Sequence, residues 1–87
     1  MQFTYTTQVF KEGKTYVAYS PEIDLSSCGR TANQARQRLH QAIELFLDEA
    51  KRLGTLTDVL AEAGYRKSGL QWKAPEFIGI ERNALAF

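Results

Sequence analysis

Residues 16–47 read YVAYSPEIDLSSCGRTANQARQRLHQAIELFL, and this stretch decides the fold. It opens with strand-forming residues, and Pro21 ends that strand because proline cannot donate to a ladder hydrogen bond. A short third strand is predicted at Ser26–Cys28. Thr31 and Gln34 then have the spacing of a capping box, which predicts the start of a helix. The stretch therefore reads as strand, corner, strand and capped helix.

One apolar stripe runs along the predicted helix. It recurs with helical spacing at Ala35, Leu39, Ala42, Ile43, Phe46, Leu47, Ala50 and Leu53. Gly54 is suited to end the helix, and two cations precede it where the helix dipole favours them. We expect this helix to lie across a sheet or a partner.

The flanking segments complete an α+β domain. Residues 2–10 alternate in polarity and predict a strand that pairs with residues 15–19 through a turn at Gly13. Thr57 is predicted to cap a short second helix. Residues 77–80 are predicted to form a final strand. The predicted order is β-β-β-α-(α)-β in a single domain over residues 1–87. Its sheet is largely antiparallel, with the long helix on one face.

The segment between the second helix and the last strand, residues 65–74, shows no regular pattern. Trp72 within it is predicted to anchor either the core or an interface. Residues 81–87 are predicted to form a tail.

Size and charge limit the function classes. The 87 residues include eleven basic and ten acidic side chains, for a net charge of +1. A dedicated nucleic-acid binder usually has a basic surplus, so this balance disfavours that class. So small a domain gains little stability from its core, which favours self-association. The sequence shows neither a secretory leader nor a membrane-length apolar run, and we expect a cytoplasmic protein.

No set of residues predicts catalysis. A metal nuclease needs several converging carboxylates, whereas Glu44 and Asp48 are predicted on the solvent face of the helix. His40 is predicted at the flank of the apolar stripe, making an ordinary hydrogen bond. Cys28, the single cysteine, is predicted as a half-buried strand residue. We therefore expect no enzyme, no metal site and no cofactor.

Order and spacing across residues 3–65 resemble the HicB antitoxin family. The shared elements are the aromatic strand at 16–19, the Pro21-Glu22 corner, the Gly29-Arg30-Thr31 turn, and a helix with recurrent Ala and Leu. The resemblance implies a degenerate ribonuclease H-like fold without catalytic carboxylates. It also implies binding of a HicA-like toxin, a small basic ribonuclease, whose active surface the antitoxin occludes.

The resemblance carries expectations about assembly as well. A homo-oligomer, either dimer or tetramer, is expected. Many HicB proteins carry a C-terminal DNA-binding domain, which is not present in these 87 residues, so we do not expect operator binding.

The corner after the second strand is the predicted toxin contact, through Tyr19, Glu22, Asp24 and Ser27. Its carboxylates suit a basic RNA-binding surface. The alternative that residues 21–25 only form a turn stays open.

Two other functions also stay open. The chain could bind nucleic acid through Arg30, Arg36 and Arg38, or be an orphan regulatory domain without a toxin. A third, enzymatic reading would require metal-dependent nuclease activity that depends on Glu22 or Asp24.

Overall fold

The computed structural model describes residues 2–87, which form six strands and two helices. The strands are β1 (Gln2–Phe3), β2 (Gln8–Glu12), β3 (Thr15–Ser20), β4 (Leu25–Gly29), β5 (Arg66–Ser68) and β6 (Gln71–Lys73). The helices are α1 (Ala32–Leu53) and α2 (Leu56–Glu62). The α+β class is confirmed, and the strands form two three-stranded sheets rather than one.

The first sheet is an antiparallel meander in the order β2-β3-β4. The predicted hairpin with a turn at Gly13 is present, and β2 runs on to Glu12, which pairs with Thr15 across a two-residue turn. Gly13 occupies the first turn position with φ of 62°, a conformation that glycine adopts without a steric penalty. β4 then pairs with β3, from Ser20 opposite Leu25 to Tyr16 opposite Gly29.

Helix α1 covers one face of this sheet. Ala18 of β3 is buried against Ala35, Leu39 and Ile43 of the helix. The predicted capping box is present, because the Thr31 hydroxyl accepts a hydrogen bond from the Gln34 backbone N–H at 3.0 Å. The cap fixes the start of α1 immediately after β4.

The side chain of Gln34 completes the cap by accepting from the Arg30 backbone N–H at 2.7 Å. At the other end, Gly54 adopts φ of 75° and its N–H returns to the carbonyl oxygens of Ala50 and Lys51. Both ends of the helix therefore match the sequence prediction.

The second sheet lies beside the end of α1 and α2. β1 pairs in parallel with β6, and β6 pairs antiparallel with β5. Leu60, Tyr65 and Trp72 form its buried cluster, so Trp72 belongs to the core. Phe3, Ile23 and Leu47 pack against both buried clusters and join the two sheets into one unit.

Several sequence predictions about strands and caps were wrong. The first strand is interrupted at residues 4–7, because Phe3 pairs with Trp72 of β6 rather than continuing into the hairpin. Helix α2 begins after Thr55, whose side chain makes no capping hydrogen bond, so Thr57 is not the cap. Residues 65–74, predicted to be irregular, contain the β5–β6 hairpin with Gly69 at φ of 61° in its turn.

The predicted strand at residues 77–80 is absent. These residues are extended but unpaired, and their large side chains are exposed. Cys28 is also more exposed than predicted, since it lies on the sheet face opposite α1, paired with Val17.

Within the described part of the chain, neither helix combines the length and the apolar character needed to cross a membrane.

Candidate protein-binding surface

The face of the first sheet that points away from α1 carries the exposed strand residues. Because side chains alternate along a strand, this outer face comprises Gln8, Phe10, Glu12, Thr15, Val17, Tyr19, Ser26 and Cys28. Phe10 is 41% exposed, while Val17 and Tyr19 beside it are half-buried. An aromatic and aliphatic centre with polar neighbours is a composition typical of protein interfaces.

The corner at residues 21–24 lies at the end of this face. Asp24 adopts φ of 52°, a left-handed conformation that aspartate tolerates better than most residues. The Tyr19 hydroxyl donates to Asp24 Oδ1 at 2.9 Å. This hydrogen bond, with smaller contributions from desolvation and the Asp24 charge, raises the pKa of Tyr19. Tyr19 therefore holds an exposed carboxylate at the edge of the outer face.

The carboxylate of Glu22 is engaged within the protein. It accepts from the Thr6 backbone N–H at 3.0 and 3.2 Å and from Ser20 Oγ at 3.1 Å. Burial alone would raise the pKa of Glu22, but the hydrogen bonds from Thr6 and Ser20 outweigh it and hold the pKa below its usual value. Glu22 ties the corner to the connection between β1 and β2.

The structure brings together two of the four predicted contact residues. Tyr19 and Asp24 are hydrogen-bonded, and Glu22 lies next to them in a structural role. Ser27 pairs with the buried Ala18 and so lies on the inner face, toward α1. Ser26, opposite Tyr19, occupies the outer face instead.

Sequence reasoning missed the outer-face residues Phe10, Val17 and Ser26. Alternation within each strand could have grouped Phe10 with Gln8, and Val17 with Tyr19. The register between strands, which places Phe10 opposite Val17, depends on the turn geometry and was not readable from the chain.

His40 makes the ordinary hydrogen bond predicted for it. Its Nδ1 lies 2.7 Å from the Tyr5 hydroxyl, and its Nε2 lies 3.5 Å from Glu44 Oε1. Burial, with a smaller contribution from the Glu44 charge, raises the pKa of Tyr5. The phenol therefore stays protonated to a higher pH than a free tyrosine does.

Two of the three candidate arginines share a depression. Arg30 and Arg38 line an open hollow of about 520 Å³ with Thr15, Cys28, Gly29 and Gln34. The Arg38 guanidinium donates to the Cys28 carbonyl at 3.0 Å. Arg36 instead donates to Asn33 Oδ1 at 2.9 Å and lines a different surface with His40 and Glu44.

Across residues 2–87, no three His, Cys, Asp or Glu side chains lie together in a group that could hold a metal ion. Comparison with family models, with curated proteins and with solved structures gives no match to this chain.

Proposed function

We propose that the chain is a protein-binding module of the antitoxin type, which neutralises a HicA-like, RNA-cleaving toxin by covering its active surface. The observation that supports this function best is the uncovered outer face with the Tyr19–Asp24 pair at its edge. Phe10 and Val17 supply apolar contact area, and Asp24 supplies charge.

Electrostatics favour a basic partner at this edge. Asp24 is exposed and held in place by Tyr19, so its charge meets an incoming surface without a large loss of side-chain freedom. A toxin that binds RNA must present cations, and opposite charges across an interface speed association and select the partner. Glu22 contributes by fixing the corner rather than by direct contact.

The test uses a cognate HicA-like toxin, to be sought as a small basic ribonuclease encoded in the neighbouring reading frame. Asp24→Asn removes the charge and keeps a residue that adopts a left-handed conformation. We expect binding to weaken about five- to tenfold at low salt, mainly through slower association, with a smaller difference at high salt. Asp48→Asn, on α1 behind the sheet, is the matched control and should bind as the wild type does. Equal affinity of both variants, or no binding by the wild type, would refute the proposal.

Nucleic-acid binding is the second candidate, supported by the hollow that Arg30 and Arg38 share. Phosphate contacts there should make the affinity for an oligonucleotide fall steeply with salt. Arg30→Ala and Arg38→Ala should then weaken binding and reduce the salt dependence, while Arg36→Ala should not. If the chain does not bind the oligonucleotide even at low salt, nucleic-acid binding is refuted. The remaining alternative to an antitoxin is then a regulatory domain that does not bind nucleic acid.

A further inference from the structure

A small cavity lies between α1, α2 and the second sheet. Its volume is about 140 Å³, and its apolar wall is formed by Phe3, Leu47, Leu56, Leu60 and Trp72. Leu60 and Trp72 are buried, whereas Leu56 is half-buried. Ligand sites in proteins are typically concave and mostly apolar, with a few polar groups that orient the ligand. The apolar wall meets the first part of this description.

Two charged side chains of α1, Asp48 and Lys51, complete the lining of the cavity. They are three residues apart, so they are neighbours on the surface of the helix. Both are exposed, which places them at the mouth of the cavity. Neither takes part in an ion pair among residues 2–87. The mouth therefore presents one positive and one negative charge beside an apolar interior.

The wall also contains a buried hydrogen-bond donor. Trp72 is 4% exposed, and its indole Nε1 is buried without a hydrogen-bond partner among the described residues. Buried donors in folded proteins are usually paired, because an unpaired donor is unfavourable. The wall therefore favours a ligand that brings a hydrogen-bond acceptor over a plain hydrocarbon.

We propose that this cavity binds a free α-amino acid whose side chain is apolar and about the size of leucine. The carboxylate of the ligand meets Lys51, its ammonium group meets Asp48, and its side chain enters the cavity. A zwitterion complements both charges at the mouth. A simple carboxylic acid would instead be repelled by Asp48, and a simple amine by Lys51.

The volume of the cavity sets the size of the side chain. An engineered apolar cavity of roughly 150 Å³ takes up benzene, and the 140 Å³ here admits one branched or aromatic side chain. The ammonium and carboxylate groups stay at the mouth, because burial of an ionised group is costly. The orientation of the ligand follows from these two constraints.

This site is separate from the outer face. The sheet that carries the outer face packs against Ala35, Leu39 and Ile43, whereas the cavity is lined by the part of α1 that begins at Leu47. A change at the mouth of the cavity therefore leaves the outer face intact. Binding of the amino acid and binding of a toxin can each be refuted without the other.

Titration of the full chain with leucine, followed by the fluorescence of Trp72, tests the site. Trp72 is the single tryptophan of the chain, so its emission reports from the cavity wall. We expect a saturable change with leucine and none with glycine, which has no side chain to fill the cavity. Leu56→Phe narrows the cavity and should remove the response, with unchanged circular dichroism. Leu45→Phe, at an exposed position of α1 outside the cavity, is the matched control and should respond as the wild type does.

The two charges at the mouth give a second test, which does not depend on repacking of the wall. Asp48→Asn and Lys51→Met should each weaken leucine binding about two- to fivefold, as expected for solvent-exposed ion pairs. For isocaproate, which lacks the ammonium group, Asp48→Asn should instead strengthen binding, because it removes a repelling charge. No saturable response to leucine, a response that survives Leu56→Phe, or the same effect of Asp48→Asn on both ligands would overturn the proposal.

Discussion

Replacement of Glu22 by alanine tests whether this carboxylate fixes the corner. The change removes the acceptor of the Thr6 N–H and the Ser20 hydroxyl. A hydrogen bond to a charged group contributes about 1.5–3 kcal/mol, and the half-buried setting of Glu22 favours the lower end. We expect Glu22→Ala to lower the free energy of unfolding by about 2 kcal/mol, equivalent to roughly 8–16 °C in Tm for a domain of this size.

The dependence of this stability on pH gives an independent check. The folded-state pKa of Glu22 lies below its unfolded value, so its contribution is present above the unfolded pKa, near 4.3. The contribution is lost as the pH falls through the folded-state pKa. The difference in stability between wild type and Glu22→Gln should therefore be largest near neutral pH and shrink in acid.

Urea unfolding followed by circular dichroism measures both effects. Asp24→Asn is the matched control, since within the described residues the exposed Asp24 carboxylate accepts from the Tyr19 hydroxyl alone. It should change stability by less than about 1 kcal/mol. A Glu22→Ala protein as stable as Asp24→Asn, or a Glu22→Gln difference that grows in acid, would refute the structural role of Glu22.

Three further changes test the scaffold, each read by urea unfolding. Thr31→Ala should cost about 1 kcal/mol through loss of the N-cap, and no change would contradict the capping box. Gly64→Ala should destabilise the protein more than Gly54→Ala does. Both glycines have positive φ, but of these two only Gly64 lies close to another side chain, that of Pro75. Equal effects of the two substitutions would contradict this contact. Tyr65→Phe should cost about 1–2 kcal/mol by removing the 2.7 Å hydrogen bond to the Thr4 carbonyl, and a neutral effect would show that this bond contributes nothing.

Local signals predicted most of the first half of the fold. The turn at Gly13, the cap at Thr31 and the glycine after α1 each act on neighbouring backbone, so the residues themselves specify the conformation. The β2–β3 hairpin and α1 were recovered for this reason.

Long-range pairing accounts for what the sequence did not reveal. β1 is short because Phe3 pairs with Trp72, a partner almost seventy residues away. The strand predicted at residues 77–80 has strand-forming side chains but no partner strand among residues 2–87. Propensity describes how well a residue fits a pleated surface and does not supply the neighbouring strand.

The candidate surface was only partly predictable for the same reason. The sequence placed Tyr19 and Asp24 near one corner, and the structure adds the hydrogen bond between them. The sequence did not reveal that Ser27 faces α1, because a shift of one residue in register exchanges the two faces of a strand. The engagement of Glu22 by Thr6 was equally hidden, since it depends on how β1 enters the fold.

Hydrogen–deuterium exchange on this chain, with and without a cognate HicA-like ribonuclease, tests the proposed binding surface most directly. We predict slower exchange in the complex at β2, at β3 and at the corner of residues 21–24, which together form the outer face and its acidic edge. Protection confined to the hollow of Arg30 and Arg38, or no protection at saturating ribonuclease, would contradict an antitoxin that binds through this face.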